Sequence, residues 1–114
     1  MNKLAVIFCT AALFSASHNA KAFSQFNNRI IDQIAVGEQM GGDVLIRLKD
    51  HDSISQPACA TDPQWTMRFD GTTEAGKQLY SMALLAASAK AVVDIAGEDS
   101  CIGNIRKLRW LRLK

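Results

Sequence analysis

The residues best suited to catalysis lie together around His51. Asp50-His51-Asp52-Ser53 places a carboxylate, an imidazole and a hydroxyl in one short stretch, and these are the groups of a Ser-His-Asp hydrolase centre. Such a centre is built from side chains that converge from separate elements, whereas neighbouring residues on a strand or turn diverge. The sequence therefore favours a solvated polar loop here and predicts no enzymatic activity. A small hydrolase with His51 as its base remains the alternative.

Metal-ligating residues are sparse. Asp94, Glu98 and Asp99 could offer oxygens to calcium, but they lack the alternating oxygen ligands of a calcium loop. His51 and two cysteines do not make up a zinc site if the cysteines form a disulfide. The favoured interpretation of the acids is a charged turn, and no metal or other cofactor is predicted.

Aromatic side chains beside cations are the main candidates for recognition. Trp110 lies between Arg109 and Arg112, and this combination can stack on a sugar or lie at a subunit interface. Trp65 alternates with polar residues and is expected in the core. Tyr80 is either structural or part of a contact surface. Trp110, Arg109, Arg112 and Tyr80 are thus the ligand or interface candidates.

The first 22 residues have the pattern of a secretory signal peptide. Lys3 precedes an apolar run over residues 4–16, and Ala20-Lys21-Ala22 is a small-x-small cleavage site. The run is too short to span a membrane. The sequence therefore predicts export to the periplasm or beyond, with no membrane span, and a single mature domain over residues 23–114. Without Lys3 and Lys21, its 11 basic residues balance its 11 acidic ones.

Export also determines how the cysteines are interpreted. Cys9 lies in the signal peptide, which leaves Cys59 and Cys101 as one pair in an oxidising compartment. A disulfide between them would stabilise a small domain by roughly 4 kcal/mol on the chain-entropy model. The distance between them in sequence, with no Cys-x-x-Cys motif, argues for a structural bridge.

The C-terminal residues 106–114 are strongly basic, and three interpretations are open. Single-stranded nucleic acid could lie in a basic groove, but export and zero net charge argue against it, so no nucleic-acid partner is predicted. Anionic glycans or lipid headgroups are a second possibility. The favoured interpretation is a solvated or subunit-facing strand edge whose charges discourage aggregation.

Hydrophobic patterning predicts five strands and one helix. Strands are expected at residues 29–36, 43–49, 65–70, 91–96 and 105–113, and a helix at 75–90. Residues 23–28 are interpreted as a polar lead-in and 97–104 as a loop. The order β-β-β-α-β-β is that of a small five-stranded Greek-key barrel, the OB-fold. The predicted class is mainly β with one helix and one disulfide.

The helix is expected to begin after an N-cap at Thr73 and to be apolar on nearly all sides. Leu79, Met82, Ala83 and Ala86 repeat at helical spacing, while Tyr80, Leu84 and Ala87 occupy the other side. Such a helix is predicted to be covered both by its own sheet and by neighbouring subunits.

Several short blocks of this sequence resemble those of a known family. The blocks are Trp65-Thr-Met-Arg-Phe69, Gly76-Lys77-Gln-Leu-Tyr80-Ser81, Lys90-Ala-Val92-Val-Asp-Ile95-Ala-Gly97 and Cys101. They resemble the B subunits of subtilase-type AB5 toxins and related small exported proteins, over roughly residues 44–113. In this family the helix often ends in Gly; Ala89 stands here instead and argues against a left-handed residue at that end.

The resemblance implies an OB-fold subunit, a homo-oligomeric ring of five, a cell-surface glycan as ligand and a separate catalytic A subunit as partner. It assigns no glycan-contacting residue to a position of this sequence. The predicted function is accordingly a non-catalytic secreted binding subunit. The alternative is a monomeric periplasmic accessory domain that serves an envelope complex without sugar specificity.

Overall fold

The computed structural model describes residues 22–114. The predicted signal peptide therefore lies outside the described residues, except for Ala22. The described elements are β1 (Phe23–Arg29), β2 (Ile31–Val36), β3 (Asp43–Leu48), β4 (Met67–Asp70), α1 (Glu74–Ala89), β5 (Val93–Ile102) and β6 (Ile105–Leu113), with short 3-10 turns at Glu38–Met40 and His51–Ser53. The predicted class, mainly β with one helix, is confirmed.

The strands form one sheet in the order β1-β5-β6-β4-β3-β2. All neighbours are antiparallel except β4 and β6. The two edge strands, β1 and β2, are separated in sequence only by Ile30. Counting them as one bent strand restores the predicted order of elements. The count of five is nevertheless wrong by one, and the hydrogen-bonded ladder is not closed into a barrel between β1 and β2.

Two segments predicted as irregular are strands. Residues 23–28 were expected as a lead-in but belong to β1, which pairs with β5 from Phe23 opposite Glu98. The loop predicted at 97–104 is replaced by a longer β5 that runs to Ile102. Gly97 suggested a turn, but its missing side chain instead makes room for Arg106, whose Cδ would lie 2.3 Å from an added Cβ.

Strand β6 is interrupted by a bulge. Ala96 pairs with Trp110 and Gly97 with Leu108, so Arg109 is the extra residue. The bulge lets both Leu108 and Leu111 reach the core, which explains why neither face of this segment alternates regularly. Strand β6 pairs with β5 along its length, but β4 pairs with it only at Lys107, so no described strand covers the other side of β6 beyond that residue. The edge-protection interpretation of its basic residues therefore stays a prediction.

Helix α1 packs across the sheet against β2 and β6. Its N-cap is Thr73, whose hydroxyl accepts from the N–H of Gly76, as predicted. Ala83 and Ala86 are buried, whereas Leu84 and Leu85 are 41% and 60% exposed. The helix ends on Lys90 in the left-handed region, with φ of 50°, so the expectation drawn from Ala89 is wrong. The N–H of Lys90, donated to carbonyls of the last turn, stabilises this end.

The predicted disulfide is present between Cys59 and Cys101. It ties the long segment between β3 and β4 to the end of β5. The same segment is held by the carbonyl of Asn104, which accepts from the N–H groups of Thr61 and Asp62 at 3.0 and 3.1 Å. Within the described residues, no helix has the length and apolar character needed to cross a bilayer.

Candidate functional site

A cavity of about 420 Å³ opens at the break between β1 and β2. We call it the seam cavity; its lining residues are Asn28, Arg29, Ile30, Lys49 and Asp50. The volume lies in the range of small-molecule sites. The lining offers an amide, two cations and a carboxylate around one aliphatic side chain, so it can bind a polar ligand through several directed hydrogen bonds.

Strand pairing brings the two halves of this lining together. Ile31 pairs with Leu48 in the antiparallel β2–β3 ladder, and the N–H of Lys49 donates to the carbonyl of Ile30 at 2.9 Å. Residues about 20 positions apart in sequence thus meet where the ladder stops.

The turn of the chain at Asn28 is fixed by the side chains of Asp94 on β5 and Lys114 after β6. Asn28 has a φ of 58°, a conformation that Asn tolerates better than most residues. Its N–H donates to Asp94 Oδ1 at 3.0 Å, and its Oδ1 accepts from Lys114 Nζ at 2.7 Å. The end of β1 that lines the cavity is therefore held in place before any ligand binds.

The charges of the cavity are only partly neutralised. Arg29 pairs with Asp50, and its guanidinium lies 5.7 Å from the centre of the Phe26 ring. The Nε of Arg29 is buried and has no hydrogen-bond partner among the described residues. Lys49 makes no ion pair within the described part of the chain and is exposed. The cavity thus carries a net positive charge, and the ammonium group of Lys49 remains free for a ligand.

Three of the four predicted recognition residues share the outer face of the sheet, and one of them, Arg112, donates to the same Asp94 carboxylate as the N–H of Asn28. The Arg109 guanidinium lies 4.2 Å from the centre of the Phe23 ring, and that of Arg112 lies 5.6 Å from Trp110. Trp110 is half-buried. Its cross-strand partner Ala96 is fully buried yet lies outside the core cluster, which places both residues on the outer face.

The fourth candidate, Tyr80, lies elsewhere. It is on α1, partly buried and packed against the hydrophobic core. The structure therefore does not bring Tyr80 together with Trp110 and its arginines.

His51 is part of a buried hydrogen-bond network. Its Nδ1 lies 2.7 Å from Thr66 Oγ1 and its Nε2 lies 3.1 Å from the carbonyl of Pro63. A carbonyl can only accept, so Nε2 carries the proton in the neutral ring and Nδ1 accepts from the Thr66 hydroxyl. Ser53 instead donates to the carbonyl of Asp50. The Asp50–Ser53 tetrad therefore does not converge on one reacting point.

The acidic residues considered for calcium are also apart. Asp94 is buried against Arg112 and Lys114, whereas Asp99 lies 3.8 Å from Arg106. Among residues 22–114, no group of three or more His, Cys, Asp or Glu side chains could hold a metal ion.

Apart from Asp50, the residues that line the seam cavity are not among the candidates predicted from the sequence. A usable signal was present: Asn27-Asn28 interrupts a strand-like segment, and Asn is enriched where φ is positive. The sequence alone does not show that this break lies beside the end of β3.

Comparison with known proteins does not narrow the possible functions of this chain. No protein-family model matches the chain, and no curated protein or solved structure is detectably similar to it.

Proposed function

We propose that the mature chain is a non-catalytic, exported binding subunit that recognises a glycan in the seam cavity. The observation that carries this proposal is the lining itself, in which an amide, a guanidinium, an ammonium and a carboxylate surround one concave space. Sugar hydroxyls both donate and accept hydrogen bonds, so such a mixed lining suits them. The blocks that resemble AB5 toxin B subunits support the same function.

The contacts that hold the cavity lining in place support recognition of a ligand. Asn28 is held by Asp94 and Lys114, and Arg29 is held by Asp50 and Phe26. A preorganised lining lowers the entropic cost of binding. Lys49 is the group free to reach a ligand.

The proposal includes assembly with further copies of the chain. Leu84 and Leu85 on α1 are exposed apolar side chains, and burying them between subunits would remove them from water. In this arrangement a separate A subunit would supply any catalytic activity.

A glycan array with the oxidised protein 23–114 tests the binding site. Asn28→Gly keeps the left-handed backbone accessible while it deletes the amide, and Lys49→Gln deletes the free cation. Each is expected to weaken binding to the best glycan at least tenfold, about 1.4 kcal/mol. The melting temperature of Lys49→Gln should stay that of the wild type, whereas Asn28→Gly also loses the hydrogen bond from Lys114. Lys77→Gln, the same chemical change near the opposite end of β3 from Lys49, should bind as wild type. Equal binding by all variants would rule out the seam cavity.

The native mass of the same protein tests assembly. A stable pentamer would support the B-subunit function. A monomer at high concentration that binds no glycan would leave the accessory-domain function as the better account.

A further inference from the structure

We propose that the outer row of β6 is a second binding site, for a linear acidic polysaccharide. This row consists of Lys107, Arg109, Arg112 and Lys114. Its last member donates to Asn28 of the seam cavity, but Lys107 and Arg109 have no contact with the cavity lining among the described ion pairs and hydrogen bonds. On a strand of this length, the row extends over roughly 23 Å. A row of cations along one extended strand matches anionic groups repeated along one extended polymer.

The ion pairs among the described residues account for only part of this positive charge. Strand β6 is paired with β5 along its length and with β4 at Lys107, so Lys107 does not protect a free sheet edge. Lys107 and Arg109 are exposed and make no ion pair with any described residue. Arg112 and Lys114 share the single carboxylate of Asp94. The row therefore keeps an excess of positive charge in a chain whose mature part is neutral.

Not every basic residue of segment 106–114 belongs to the outer row. Arg106 belongs to the same segment but points inward: it is 3% exposed and its guanidinium lies 5.4 Å from the centre of the Phe26 ring. Burial lowers the pKa of Arg106, and the nearby Asp99 opposes that shift. The acids that face the row are Asp94, already paired, and Glu98 opposite Phe23.

The aromatic rings on this face lie against guanidinium groups of the row. Arg109 lies over Phe23 and Arg112 over Trp110, which orders two flexible side chains in advance of binding. A guanidinium lies over one face of each ring, so each ring takes part in a cation–π contact within the protein. Among residues 22–114, the exposed large apolar side chains are Val36, Leu84, Leu85 and Val92. None of these four is on β6, where Trp110 is half-buried.

Binding to dextran sulfate and to alginate, measured by calorimetry against neutral dextran of equal length, tests the proposal. We expect both acidic polymers to bind with an affinity that falls as salt increases, and neutral dextran not to bind. The double variant Lys107→Gln/Arg109→Gln should lose about tenfold in affinity. The matched control Lys77→Gln/Lys90→Gln removes the same charge from the two ends of α1 and should lose less than twofold.

Other outcomes would overturn the proposal. Equal losses in the two double variants would mean that only net charge matters. Tighter binding to phosphatidylglycerol vesicles or to single-stranded oligothymidine than to either polymer would assign the row to a lipid surface or to nucleic acid. Lys49→Gln should bind the acidic polymers as wild type does, which separates this result from failure of the seam cavity.

Discussion

The carboxylate of Asp94 joins three separate parts of the chain. It accepts from the N–H of Asn28 at 3.0 Å and from Arg112 Nη2 at 2.5 Å, and Lys114 Nζ lies 3.6 Å away. Its side chain is 2% exposed. Chiefly the Arg112 hydrogen bond, and then the N–H of Asn28, lower the pKa of Asp94 below its ordinary value.

This shift predicts how stability depends on pH. A carboxyl group whose pKa is lower in the folded state stabilises the protein above its unfolded pKa, and that contribution disappears as the pH falls through the folded pKa. We expect Asp94→Asn to unfold at lower urea than wild type at pH 7, with the difference shrinking progressively below pH 4. Urea unfolding across pH measures this.

The control for the pH prediction is Asp32→Asn. Asp32 is exposed on β2 and has no hydrogen-bond or ion-pair partner among the described residues. This variant should follow the wild-type curve at every pH. If Asp94→Asn also followed it, the Asp94 network would contribute nothing to folding.

Among the elements, α1 depends on one glycine for its position. An added Cβ at Gly76 would lie 1.8 Å from the carbonyl oxygen of Asp70, at the end of β4. The backbone of the helix therefore approaches the strand more closely than any side chain allows. The neighbouring cap at Thr73 fixes the same turn.

The close approach reverses the usual effect of replacing a helical glycine. Gly to Ala in an exposed helix stabilises by about 1 kcal/mol, but Gly76→Ala must push α1 away from β4. We expect a loss of about 1–3 kcal/mol in the free energy of unfolding, measured in urea. Ser88→Ala, on the exposed side of the same helix, should change it by less than about 0.5 kcal/mol. A more stable Gly76→Ala would show that the contact relaxes at no cost.

Local pattern predicted those elements whose hydrophobic residues alternate or repeat. Val44, Ile46 and Leu48 alternate and are all buried in the core, and the helix begins within one residue of its predicted start. Strand β1 could not be predicted in this way, because Phe23 and Phe26 are its only hydrophobic residues and its strand conformation depends on pairing with β5.

The candidate site was predicted only in part, for a related reason. Trp110, Arg109 and Arg112 are neighbours in sequence, so their grouping was visible from the outset. The seam cavity depends instead on the register of Ile31 with Leu48 and on an interaction between Asn28 and Asp94 across 66 positions. Such long-range pairings leave no periodic pattern in a single sequence.

At the scale of the whole molecule, the Cys59–Cys101 bridge connects the least regular segment to the sheet. The residues it joins are 42 positions apart, and Cys59 is exposed while Cys101 is half-buried. Since little side-chain packing is lost on removing the sulfurs, the bridge acts mainly by restricting the unfolded chain. A domain of this size buries only about 60–65% of its unfolded surface and has little stability to spare.

We therefore expect Cys59→Ala/Cys101→Ala to lose about 4 kcal/mol in the free energy of unfolding, while its circular dichroism in buffer stays that of the wild type. The native segment remains held by the Asn104 carbonyl through Thr61 and Asp62, so the folded state should survive. Urea unfolding with and without reductant measures the effect: reductant should lower the midpoint of wild type to that of the variant and leave the variant unchanged. A loss below 1 kcal/mol would contradict the proposal that the bridge stabilises the protein mainly by restricting the unfolded chain.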